Sequence, residues 1–128
     1  MVNDIVSMIK ESDASYITVI TPDNRELFDS ITAEHRTVAL FMTDWCGPCR
    51  MQIISLLENS MYKQFLQQNE MKSVYLDADE FPDITQKISL HNIPAIIPYD
   101  KGSPMSSRII GVHPVNDVIR KLEEFYTL

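Results

Sequence analysis

"TVALFMTDWCGPCRM", Thr37 to Met51, leads from an apolar run straight into both cysteines of a 128-residue chain. A continuous run such as Thr37 to Met42 suits a central strand buried on both faces. Beyond the cysteines, Met51, Ile54, Leu57, Met61 and Phe65 recur at helical spacing. The cysteines therefore stand where a buried strand hands over to a helix. Separated only by Gly47 and Pro48, they can close a small ring with each other or share a metal.

The length fits one compact domain, residues 1–128, and 45% hydrophobic residues supply a core without disulfide staples. The net charge of -7 argues against nucleic acid, which calls for a basic patch, and against anionic membrane surfaces. No segment approaches the roughly 18 to 20 apolar residues of a membrane span. The start, "MVNDIVSMIKESD", has no basic opening and no long apolar run, so the expected location is the cytoplasm. In a reducing compartment a lone cysteine pair points to catalysis or metal binding rather than to a staple.

Outward from the motif, strands and helices alternate. Val2, Ile5, Val6 and Ile9 predict a helix over residues 2 to 11, and Ser15 to Ile20 a strand. Thr21-Pro22 opens a helix to about Ile31. The helix after the cysteines is broken at Glu58 to Ser60 and resumes through Gln68. Ser73 to Asp79 is a strand, Phe81 to Leu90 a helix, and "PAIIPY" a strand ending in the turn Asp100 to Ser103. Ser107 to Val112 is the last strand, and "HPVNDVIRKLEEFY" an amphipathic helix with Val115, Val118, Ile119, Leu122 and Phe125 on its apolar face. The order predicts an α/β sandwich with a parallel portion and a final antiparallel hairpin. Pro98 cannot donate to a ladder, so its strand is expected to be short or irregular.

At the start of a helix, N–H groups and the helix dipole favour a thiolate at Cys46 and lower its pKa. Cys49, one turn on, can reach it. Cys46 can then attack a substrate disulfide, and Cys49 can resolve the mixed disulfide. Gly47 allows a close backbone approach, and Pro48 stiffens the first helical turn. A metal needs about four ligands, and none of His35, His91 and His113 has metal-motif spacing to the cysteines. Asp44 reads as a solvated loop carboxylate, and Met8, Met51 and Met61 as core residues.

"WCGPCR" between a strand and a helix resembles the thioredoxin family. The likeness extends to "HNIPAI", whose Pro94 lies 45 residues after Cys49, to Asp79, 15 residues before Pro94, and to Gly102 and Gly111. It covers residues 15–126, leaving 1–14 as an N-terminal helical extension. The resemblance implies a thioredoxin-like fold, a central mixed sheet flanked by helices, with an extra N-terminal helix. It implies that Pro94 is cis, and that Trp45, Ala78, Asn92, Ile93 and Gly111 form the patch that receives substrates. It implies a protein-disulfide reductase or exchanger without a prosthetic group, acting as a monomer on disulfide-containing proteins and re-reduced by a reductase or another dithiol.

The chain also departs from the family's pattern. Leu40 stands where common thioredoxins carry a buried aspartate six residues before the first cysteine, and Tyr75 where a lysine neighbours it. A buried lysine without its carboxylate would be costly, so the two losses fit together. Met42, Ala95 and Ile54 replace an aromatic residue, a threonine and a helix-kinking proline. Without the aspartate, either Cys49 is harder to deprotonate or water must serve in its place, and the departures together predict a slower or more selective exchanger. A second reading is a binding module whose dithiol locks or regulates one partner.

Overall fold

The computed structural model describes residues 4–12 and 14–128. Its elements run α1 (Ile5–Glu11), β1 (Ile17–Ile20), α2 (Arg25–Glu34), β2 (Thr37–Met42), α3 (Gly47–Glu58), α4 (Met61–Gln68), β3 (Lys72–Asp77), α5 (Pro82–Lys87), β4 (Ala95–Asp100), β5 (Ser103–Pro104), β6 (Ile109–Ile110) and α6 (Val115–Tyr126). The sheet order is β1-β3-β2-β4-β5, with β6 also on β4. β1, β3 and β2 are parallel, whereas β4 runs antiparallel to β2.

Every residue of β2 is buried because both faces of the sheet are covered. Val38, Leu40 and Met42 enter the cluster shared with α1, α3, α4 and α6. Ala39 and Phe41 enter the opposite one, with Phe28, Phe81 and Tyr99. Period-2 alternation thus persists beneath an unbroken apolar run.

Several boundaries differ from the reading of the sequence. Val2 lies outside the described residues, but Ile5 and Ile9 of α1 are buried. Strand β1 starts at Ile17, because a turn closes from the Ile17 N–H to the Ala14 carbonyl. The segment after Thr21 opens as a 3-10 turn, Pro22–Asn24, and α2 runs beyond Ile31 to Glu34. Strand β3 stops at Asp77, whose carboxylate accepts the Asp79 N–H at 2.9 Å and starts a 3-10 turn, Ala78–Glu80. Helix α5 ends at Lys87, and Ser89 follows in a left-handed conformation at φ 54°.

Strand β4 is neither short nor broken at Pro98. The Pro98 carbonyl accepts the Met105 N–H at 2.8 Å, so the position points toward the β5/β6 side rather than toward β2. The missing N–H therefore costs no bond to β2. The irregularity falls on the partner instead, which divides into two pairs of residues, β5 and β6, where one strand over Ser107 to Val112 was predicted.

The apolar face of α3 is rotated from the predicted one. Cys49, Gln52, Ile53 and Leu56 are buried, while Met51 is 64% exposed and Ile54 also faces out. Met61 on α4 is likewise exposed. Cys49 sets the orientation: once it faces the sheet, positions three, four and seven residues on follow it inward.

Candidate active site

The end of β2 brings the site together. Met42 is in register with Asp77 at the end of β3, and Phe41 with Ala95 at the start of β4. The cysteine loop, the turn Ala78–Glu80 and Pro94 therefore leave the same edge of the sheet.

Cys46 and Cys49 form a disulfide with Cα atoms 5.2 Å apart. Cys46 is the N-cap of α3, and its sulfur accepts the Cys49 N–H at 3.1 Å. A side chain at this position sees the unpaired N–H groups of the first helical turn, which favour a negative sulfur. Pro48 occupies that first turn, where its lack of an N–H leaves no bond unmade. Cys46 is 6% exposed and Cys49 is fully buried. Gly47 makes no close approach within the chain itself: a Cβ there would meet nothing within 4 Å. The space above it is open.

Trp45 is 72% exposed, not a core aromatic, and its indole N–H donates to Asp79 at 2.8 Å. Ala78 is half-buried in the turn that carries Asp79, and Asn92 is exposed. Ile93 packs against the cluster that holds the cysteines, and the Ile93-Pro94 bond is cis with Pro94 buried. Gly111, at φ 85°, donates its N–H to the Pro94 carbonyl at 2.9 Å. Glycine is suited there because that left-handed conformation strains other residues.

Leu40 and Tyr75, the two departures from the thioredoxin pattern, are in register on β2 and β3 and share the cluster of the cysteines. Burial, followed by the carboxylates of Asp77 and Asp44, pushes the Tyr75 hydroxyl above the usual phenol range. Asp77 is itself raised, first by burial and then by Asp79 and Asp44. Glu80 is raised by burial and by Asp77. One flank of the site is thus acidic.

Beyond the Trp45–Asp79 bond, sequence reading missed two contacts. Asp44 is not merely solvated: its carboxylate accepts the Ile5 N–H at 2.9 Å, tying α1 to the cysteine loop. Gln52, buried on α3, accepts the His113 N–H at 2.8 Å and donates to the His113 carbonyl at 3.1 Å. Only a polar residue amid the apolar spacing of α3 hinted at it. Among the described residues, no three His, Cys, Asp or Glu side chains come together as a metal site. Among those residues too, no helix is long and apolar enough to cross a membrane.

The family model described as Thioredoxin matches residues 18–124. Thioredoxin-1 of Saccharomyces cerevisiae is 32% identical over 89 residues, 68% of this chain and 80% of its own length. The mitochondrial thioredoxin-2 of Schizosaccharomyces pombe is 31% identical over 96 residues, 73% of this chain and 68% of its own. A crystal structure of thioredoxin from Trypanosoma brucei brucei superposes with a TM-score of 0.69 at 26% identity, over 90% of this chain and 96% of that one. Helix α1 lies outside the matched residues, while the cysteine pair and Pro94 lie inside them. With sequence, fold and the paired cysteines in agreement, the chain belongs to the thioredoxin family and is a thiol–disulfide oxidoreductase.

Proposed function

We propose that the chain reduces disulfides in protein substrates, with Cys46 as the attacking thiolate and Cys49 as the resolving thiol. The observation that supports this order is the asymmetry of the pair: Cys46 caps α3 and touches solvent, whereas Cys49 is fully buried. In the reduced protein, the Cys46 thiolate attacks one sulfur of the substrate and expels the other as a thiolate. Cys49, deprotonated, attacks the Cys46 sulfur, releases the second substrate thiolate and closes the Cys46–Cys49 disulfide. Two electrons pass from the dithiol to the substrate. A reductase or another dithiol restores them, and no prosthetic group takes part.

In this reading Trp45, Ala78, Asn92, Ile93 and Gly111 receive the substrate chain, with Pro94 beside them and Gly47 and Pro48 shaping the loop. The open space above Gly47 and the exposed face of Trp45 support it. The protein works as a monomer in the reducing cytoplasm. Because Leu40 offers no carboxylate, resolution by Cys49 is slower than in a general thioredoxin.

Insulin reduction tests the order. Cys46→Ser abolishes turnover, and Cys49→Ser accumulates a mixed disulfide on Cys46 with little turnover. Accumulation on Cys49 in the Cys46→Ser variant instead would reverse the roles. Wild-type turnover below that of a general thioredoxin is expected, and equal turnover would remove the part assigned to Leu40.

A further inference from the structure

The loop from Ile110 to Pro114 carries Gly111 and ends at α6. It is held at three places. The Gly111 N–H reaches the Pro94 carbonyl, and the His113 ring bonds the Ile110 carbonyl at 2.9 Å. The third hold is Gln52, which reaches across 61 residues of sequence. Its amide fits the His113 backbone as another peptide group would, accepting from the N–H and donating to the carbonyl. The remaining donor goes to the Ser55 hydroxyl at 3.1 Å, so every polar atom of the buried amide is used. Fully satisfied buried amides of this kind specify one arrangement, because any shift leaves a polar group unpaired.

Gln52 lies one turn beyond Cys49 on the helix whose N-cap is Cys46. The same rigid element therefore carries both sulfurs and the clamp on the loop. The loop displays Ile110 and Val112, both exposed apolar side chains, on either side of Gly111. We infer that Gln52 is a positioning residue that sets the Gly111 loop relative to Cys46 and so determines how well extended protein substrates are held. The inference rests on the proposed reading that this loop receives substrate. It concerns binding of the chain around the disulfide, not the exchange step itself.

The test compares insulin with cystamine, a small disulfide with no peptide chain to lie against the loop, in three variants. Gln52→Met keeps the volume and removes both bonds to His113. Gln52→Glu keeps the length and still accepts the His113 N–H, but it cannot donate to the carbonyl. Val112→Asp alters the exposed loop surface and leaves the clamp intact.

Gln52→Met is expected to raise KM for insulin about fivefold with kcat nearly unchanged, as loss of uniform binding requires. Cystamine reduction stays within about twofold. Gln52→Glu falls between, and amide exchange at His113, whose N–H Gln52 accepts, quickens in the same order. Val112→Asp raises the insulin KM with wild-type exchange at His113. Equal losses on insulin and cystamine, tracking a fall in Tm, would mean that Gln52 only supports the fold and would overturn the inference. A Val112→Asp effect without a Gln52 effect overturns it while leaving the loop as substrate surface. No effect from either overturns the loop reading and the inference together. If Gln52→Met does not fold, Gln52→Glu alone decides by the ratio of its two activities.

Discussion

Cys46 and Cys49 differ by three positions and by their access to solvent, and the separate roles proposed for two chemically similar thiols rest on that difference. The first sulfur is held by an N–H at a helix start; the second is packed against the sheet beside Leu40 and Tyr75. The nearby carboxylates can be tested singly. Asp77 is raised by burial, then by its neighbours Asp79 and Asp44. A carboxylate whose folded pKa exceeds its unfolded value binds its proton more tightly when folded. Its contribution to stability is therefore complete below the unfolded pKa and is lost as pH rises through the folded one. Asp77→Asn keeps an acceptor for the Asp79 N–H and removes the charge. The variant should gain stability over wild type at pH 7, with the gain vanishing toward pH 3. Urea titrations at several pH values measure this, and a gain that grows on acidification would contradict the assignment.

At the scale of elements, α1 is the part whose role sequence left least defined. Its apolar spacing is plain, but the partner of that face is not. Ile5 and Ile9 enter the same cluster as the cysteines, and Asp44 adds a second carboxylate at the helix start, where Asp4 already accepts the Ser7 N–H at 2.7 Å. The helix has only seven residues, too few to persist alone, so its stability comes from docking. Ile9→Ala should cost about 2 to 4 kcal/mol in chemical denaturation. Asp44→Ala should cost about 1 kcal/mol and make the α1 amides among the first to exchange. An Ile9→Ala variant as stable as wild type would show that α1 does not dock in solution.

Across the whole molecule, acidic groups outnumber basic ones by 18 to 11, and several gather beside Trp45. Asp44, Asp77, Asp79 and Glu80 leave the sheet edge on that flank. Such a field steers encounters more than it adds affinity, and salt screens it within about 10 Å at 0.1 M. Disulfide peptides flanked by lysine should therefore be reduced about threefold faster than glutamate-flanked ones at low salt, and at equal rates near 0.5 M. Stopped-flow tryptophan fluorescence follows both, since Trp45 is the single tryptophan. Equal rates at low salt would remove steering from the account.

What the sequence determined by itself is what chain neighbours decide. Thr37 to Met42 is a buried strand because six such residues in a row have no solvent face. Cys46, Gly47, Pro48 and Cys49 meet because a helix turn joins positions three apart. The likeness to thioredoxin around "WCGPCR" and Pro94 carried the fold and the dithiol chemistry on those few residues. Tertiary structure alone decided which face of α3 turns inward, why Pro98 is tolerated inside β4, and how distant residues meet. Asp44 finds Ile5, Trp45 finds Asp79, and Gln52 finds His113 across 39, 34 and 61 residues. These pairs follow from the sheet order and from the orientation of helices packed on it. Neither leaves a periodic trace, because one hydrogen bond between remote residues changes no local pattern of burial.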